Sequence, residues 1–220
     1  RYRRKPPRFY RDQDVVRLIQ SAAALPSVKK LRGRTYATLF ALLAVTGLRI
    51  NEALHLDRSD VDLAEGVLLI RRTKFGKSRL VPIHPTTQDT LRAYGEARDR
   101  MVPRPLTPAF FVSEQRTRIT EWITRYTFAV VSRAIGLRPP TSGGRHGRGP
   151  RIQDLRHRFA AQTLIAWYRA GVDVERELPK LATYLGHVHT TDTYWYLEAI
   201  PELLQLAAER LTRHSAEVTR

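Results

Sequence analysis

The segment Thr35–Val45, TYATLFALLAV, is apolar on nearly every side, and it limits the chain more than any other feature. A helix that is apolar all round has no face to give to water, so it must lie at the centre of a core. It is far shorter than the ~20 residues needed to cross a bilayer. Gly47 follows as the left-handed residue that ends such a helix. The neighbouring segments can wrap it. DQDVVRLIQSAAAL spaces its apolar residues as a helix over about 12–25, and INEALHL predicts a shorter helix after Gly47. DRSDVDLAEG is turn chemistry. VLLIRR and SRLVPI are β-rich runs bridged by TKFGK, which predicts an antiparallel hairpin. Further helices are expected at about 86–101, 119–136, 152–170 and 175–186, with a last stretch at 191–213 broken by Pro201. FFVS, around 110–113, fits either a short strand or a buried loop. The fold class expected is mainly α with a small antiparallel β-sheet, an α+β domain over 11–220 preceded by a basic arm or interdomain linker at 1–10.

The net charge of +17 calls for a polyanionic partner, and nucleic acid is the commonest one for a compact domain this basic. With no cysteine, the chain can build no disulfide framework, thiolate zinc site, iron–sulfur cluster or cysteine nucleophile. No apolar run is long enough for a membrane span and no signal-peptide pattern is seen, so the expectation is a cytoplasmic, DNA-associated protein. The positive charge is also clustered. Arg1, Arg3, Arg4, Lys5 and Arg8 form the arm, where Pro6 and Pro7 oppose a helix. Arg71, Arg72, Lys74, Lys77 and Arg79 crowd the hairpin, and Arg138, Arg145, Arg148, Arg151, Arg156 and Arg158 run through and beyond a Pro/Gly-rich loop.

Four separated features carry candidate chemistry. Arg49, in Thr46-Gly47-Leu48-Arg49, sits just past a helix break, where Glu52 one turn on can brace its guanidinium. Lys74 occupies the hairpin tip. Gln153-Asp154-Leu155-Arg156-His157 opens a helix, with Gln153 and Arg156 on one face. Leu185-Gly186-His187 precedes Thr193-Tyr194-Trp195-Tyr196. Each has a plainer reading in isolation: a surface ion pair, a solvated lysine, an Arg156–Asp154 pair, a structural histidine and core tyrosines.

Together and in this order, the residues resemble the catalytic domain of the tyrosine recombinases, the phage integrase family. TGLRINEA resembles the first arginine box, and RRTKFGKSRLVPI resembles the lysine-bearing hairpin with its trailing Arg and Val-Pro. QDLRH resembles the second box, usually His-x-x-Arg-His, and LGH followed nine residues later by Tyr196 resembles the third box and nucleophile. The resemblance covers about 12–205. It implies metal-free and cofactor-free phosphodiester transfer on double-stranded DNA, in site-specific recombination, integration or transposition of a mobile element. Arg49 and Arg156 would hold the developing phosphorane, His187 a non-bridging oxygen, Tyr196 would attack, and Lys74 would protonate the leaving 5′-oxygen. Gln153 stands where the family usually has histidine, so acid–base help worth ~10²–10⁴ in rate would be lost there. Glu52, Asp154 and His157 would cap or buttress, and Arg71, Arg72, Lys77, Arg79, Arg145, Arg148 and Arg151 would contact the DNA backbone. The resemblance further implies a tetramer on DNA and a separate N-terminal core-binding domain, for which the chain shows no candidate segment.

Tyr194 competes with Tyr196, but two residues on a helix lie about 200° apart, so the two cannot face one phosphate. The spacing from His187 favours Tyr196. Other readings remain. A two-metal nuclease would need a carboxylate cluster, and Asp57, Asp60 and Asp62 fit a turn better. His187 and His189 lack an evident third zinc ligand. A type IB topoisomerase shares the chemistry, but in a larger chain. A DNA-binding accessory protein with weakened or absent catalysis is kept open by Gln153.

Overall fold

In the computed structural model, residues 10–71, 78–140, 149–187, 189, 193 and 202–209 are described. They form helices α1 (Asp12–Ala23), α2 (Arg32–Thr46), α3 (Ile50–Leu54), α4 (Pro85–Met101), α5 (Glu121–Ala134), α6 (Gln153–Arg169) and α7 (Val174–Leu185), and strands β1 (Val61–Asp62), β2 (Val67–Ile70) and β3 (Arg79–Pro82). The expected mainly helical fold with a small antiparallel sheet is observed. None of these helices is long and apolar enough to cross a membrane. The chain divides into two compact units, Arg8–Arg156 and a second from His157 onward, with the boundary inside α6.

The first unit is organised around α2. Leu39, Phe40, Leu42 and Leu43 are almost fully buried, as the all-round apolar pattern requires, and Phe40 meets Phe128 of α5 edge-to-face at 5.3 Å. The helix ends at Gly47, whose φ of 61° and ψ of 19° are left-handed; its N–H donates to the Leu43 carbonyl at 3.1 Å. The chain then turns at once into α3. The hairpin pairs Leu68 with Val81 and Leu69 with Leu80, and the alternation of the two strands buries Leu68, Ile70 and Val81. A third strand, β1, joins on the other edge of β2 through Val61 and Asp62. The sequence assigns those residues to a turn, because two residues are too few to show a period. Phe110, Phe111 and Val112 of the FFVS segment are buried and Ser113 is half-buried, with bridges from Asp57 to Ala109 and from Val112 to Arg118. Beside it Arg98 is buried, donating to the Phe110 carbonyl at 2.7 Å with its guanidinium 5.1 Å from the Phe110 ring.

In the second unit, Leu164 and Ile165 of α6 pack with Leu178, Leu181 and Leu185 of α7. Leu203, in the helical residues 202–209, joins this cluster, Leu206 lies against it and Leu204 is exposed. Leu203 therefore packs within its own chain.

α1 and α2 come close at Gly33, where a Cβ would lie 2.3 Å from the Ala23 carbonyl oxygen. Helix propensity favours Ala over Gly by about 1 kcal/mol. The obstacle is backbone rather than a side-chain tip, so the clash should win. Gly33→Ala is expected to destabilise by about 1–3 kcal/mol, read as a lower urea midpoint at unchanged slope. A raised midpoint would show that the two helices part without cost.

Candidate active site

Arg49 is the N-cap of α3, extended at φ −69° and ψ 145°, one residue beyond the Gly47-Leu48 turn. Glu52 receives it twice: Oε2 accepts the Arg49 backbone N–H at 2.9 Å and Oε1 accepts Nη1 at 2.9 Å. The same carboxylate takes a fork from β3, with Arg79 Nη1 3.1 Å from Oε1 and Nη2 2.9 Å from Oε2. The Glu52 and Arg79 side chains are only 8% and 11% exposed, whereas Arg49 keeps 36%. Burial by itself would raise the Glu52 carboxyl, but the bonds and charge of Arg79, followed by those of Arg49, hold it below the usual glutamate value. Removing one partner of a pair this shielded leaves a charge uncompensated, at a cost of about 3–5 kcal/mol.

The second arginine comes from α6, and the start of that helix is fixed from three sides. Tyr10 donates its hydroxyl to the Arg151 carbonyl at 2.9 Å, and Arg138 Nε donates to the Pro150 carbonyl at 2.9 Å. Asp154 accepts the Arg151 backbone N–H at 2.7 Å and its Nη2 at 2.9 Å, closing the first turn as a cap. An Arg156–Asp154 pair is therefore not what forms: the described partner of Asp154 is Arg151. Arg156 is 3% exposed, and its Nη1 donates to the Gly47 carbonyl at 2.8 Å across 109 residues of sequence. That carbonyl lies two residues before Arg49. Gln153, half-buried, is three residues before Arg156 on the same helix.

A cavity of about 640 Å³ opens beside Arg49, lined by Glu52, Asn51, His55, Asp60 and Arg71 among others. Two of the three clustered aspartates are engaged by arginines, Asp60 by Arg71 and Asp57 by Arg118. Among the described residues no group of three or more His, Asp or Glu could hold a metal ion.

In the second unit, α7 ends at Gly186, left-handed at φ 68°, and His187 follows with its N–H on the Ala182 carbonyl at 2.9 Å. His187 Nδ1 lies 2.7 Å from Thr193 Oγ1, and Thr193 is fully buried. His157 is half-buried at the first position of this unit. Lys74, Tyr196, Arg72, Lys77, Arg145 and Arg148 lie outside the described residues. Of the remaining cations assigned to DNA, Arg71 and Arg151 are about half exposed while pairing with Asp60 and Asp154, and Arg79 is turned onto Glu52. The Arg79–Glu52 fork, the Gly47 carbonyl and Thr193 are the participants that sequence reasoning missed. The first spans 27 residues, the second is a main-chain atom and the third has no spacing rule.

The phage integrase family model matches residues 8–202. A putative integrase/recombinase, y4rB, of Sinorhizobium fredii is 46% identical over 97% of this chain and 68% of its own length. Tyrosine recombinase XerA of Thermococcus kodakarensis is 29% identical over 94% of this chain and 66% of its own. The chain thus spans about two-thirds of the length of these relatives. Among solved structures, XerA recombinase superposes with a TM-score of 0.70 at 24% identity, covering 96% of this chain and 66% of that one. XerH site-specific recombinase in a post-cleavage complex with its difH substrate gives 0.67 at 22% identity, covering 93% and 53%. These likenesses extend the fold match over almost the whole chain. With the family pattern matched from residue 8 to residue 202, the chain belongs to the phage integrase family.

Proposed function

We propose that this chain cleaves and rejoins double-stranded DNA at specific sites through a 3′-phosphotyrosyl intermediate, with neither metal nor nucleotide. The observation that carries the reading is the Arg156 bond to the Gly47 carbonyl, which puts the second arginine box against the turn that presents the first. A phosphorane carries two negative charges on its non-bridging oxygens, one more than the diester, and two arginines supply planar, permanently charged forks to hold them.

In this reading Tyr196 gives its hydroxyl proton to water, its phenolate oxygen attacks phosphorus, the bond from phosphorus to the 5′-oxygen breaks, and Lys74 gives that oxygen a proton. Arg49 and Arg156 hold the non-bridging oxygens. His187 has Nδ1 on Thr193, so Nε2 is the ring atom assigned to the phosphate. Gln153 can hydrogen-bond but cannot take the tyrosine proton, which makes cleavage slower rather than absent. Religation runs the same steps backwards with a new 5′-hydroxyl as nucleophile. The cations that the sequence places in the arm, hairpin and Arg/Gly loop would neutralise backbone phosphates. Lambda integrase forms a tetramer on a Holliday junction, and a tetramer is the assembly proposed for this chain on DNA. Gln153 also favours a second reading, a DNA-binding accessory factor that does not cut.

The test uses nicked duplexes built from the sequence that the full chain enriches out of a random duplex pool. Wild type should form a covalent protein–DNA adduct, and Tyr196→Phe should form none. An adduct that survives in Tyr196→Phe moves the nucleophile to Tyr194, and tight binding without any wild-type adduct supports the accessory reading. Gln153→His should speed adduct formation by about 10²-fold or more, because it restores a general base; an unchanged rate removes Gln153 from the reacting set.

A further inference from the structure

We propose that Arg79 is a positioning residue for strand cleavage: it fixes Glu52, and Glu52 fixes the Arg49 guanidinium that meets the phosphate. The inference rests on the recombinase reading and adds a residue that the family resemblance left among the DNA-backbone contacts.

The carboxylate is shared in a definite way. Oε1 accepts Nη1 of Arg49 and Nη1 of Arg79, and Oε2 accepts the Arg49 backbone N–H and Nη2 of Arg79. The terminal torsion of a glutamate is broad and weakly restrained by its own rotamer preferences. The bidentate fork from β3 sets the plane of the carboxylate, and that plane sets where the Arg49 fork can point. Without Arg79 the carboxylate can turn about this torsion, and Arg49 turns with it.

Arg79 is also well chosen as an anchor. It opens β3 opposite Ile70, so its backbone is held in the ladder, whereas Glu52 and Arg49 lie on a helix of only five residues. β2 and β3 are the two strands between which Lys74 lies in sequence. One ion pair therefore joins the strand leading out of the lysine hairpin to the helix that presents Arg49. A role as a backbone contact fits the geometry poorly. Moving the Arg79 fork to a DNA phosphate would strip a carboxylate that is 8% exposed of half its bonds and leave its charge beside another anion.

The experiment compares wild type, Arg79→Met, Arg79→Lys, Glu52→Gln and the Arg79→Met/Glu52→Gln double variant, each as the full chain with its melting temperature recorded. Single-turnover adduct formation on the nicked duplex should slow by about 10²-fold in Arg79→Met, the loss expected from a slightly misplaced reacting group. Arg79→Lys should recover part of it, since a point charge holds the carboxylate without fixing its plane. The double variant should be no slower than the slower single one, because both changes cut the same link. Arg79→Met should lower the salt slope of DNA affinity only by the phosphate that Arg49 loses, and should lower it no further in an Arg49→Ala background. A further loss of about 0.9 in that background would make Arg79 a phosphate contact of its own and overturn the proposal, as would unchanged cleavage or rates that multiply in the double variant.

A binding measurement carries the same question without cleavage. Arg49→Ala should lower the salt slope by about one phosphate in the wild-type background and by almost nothing with Arg79→Met, where Arg49 is already displaced. Equal losses in both backgrounds overturn the proposal even if the chain never forms an adduct, an outcome that would count separately against the recombinase reading. If Arg79→Met fails to fold, Arg79→Lys and Glu52→Gln give the same comparisons.

Discussion

The Glu52 carboxylate is the point on which the first unit's charged architecture depends. It is nearly buried, it belongs to a helix too short to be stable alone, and it joins that helix to the sheet through Arg79. Its lowered pKa gives the link a pH range. A carboxyl held below its unfolded value contributes its full stabilisation above the ordinary glutamate range, and the contribution is lost as pH falls through the lowered folded value. Near neutrality the clasp is therefore fully ionised. Its partners are arginines, which do not give up their protons in this range, so nothing on the basic side releases it.

The chain's surplus of cations looks uniform in composition and is not uniform in space. Several of the described arginines are held by carboxylates, as in Arg71–Asp60, Arg118–Asp57, Arg151–Asp154 and Arg79–Glu52. Such pairs convert charge into geometry. Arg156 is handled differently, buried with one donor on a main-chain oxygen. A polyanion arriving at this protein would meet two populations of arginine, one already committed to shaping the fold and one turned outward.

Much of this was legible in the sequence because it rests on local rules. The central helix declared itself by its all-round apolar surface, and Gly47 by the need for a left-handed residue. The hairpin followed from two β-rich runs, and the capping or buttressing role of Asp154 from the resemblance to the family's second box. What escaped was pairwise. Nothing in a one-dimensional pattern says that Glu52 will be reached by Arg79 from 27 residues away, or that Asp154 will take Arg151 rather than Arg156. Since every nearby arginine can satisfy a carboxylate, the choice is made only when strands and helices pack. β1 was missed for another reason, since two residues cannot display an alternation. Thr193 was invisible because its meaning lies in the ring nitrogen it meets.

The carbonyl of Gly47 has an evolutionary consequence. The two arginines of the proposed site are held by different kinds of atom. Arg49 depends on a side chain, so its support can be erased by one codon change at position 52. Arg156 donates to a peptide oxygen, an atom that every amino acid possesses, at a buried position whose backbone is left-handed. A lineage losing activity would therefore be expected to lose the orientation of Arg49 first, while Arg156 kept its seat long after the chemistry had gone.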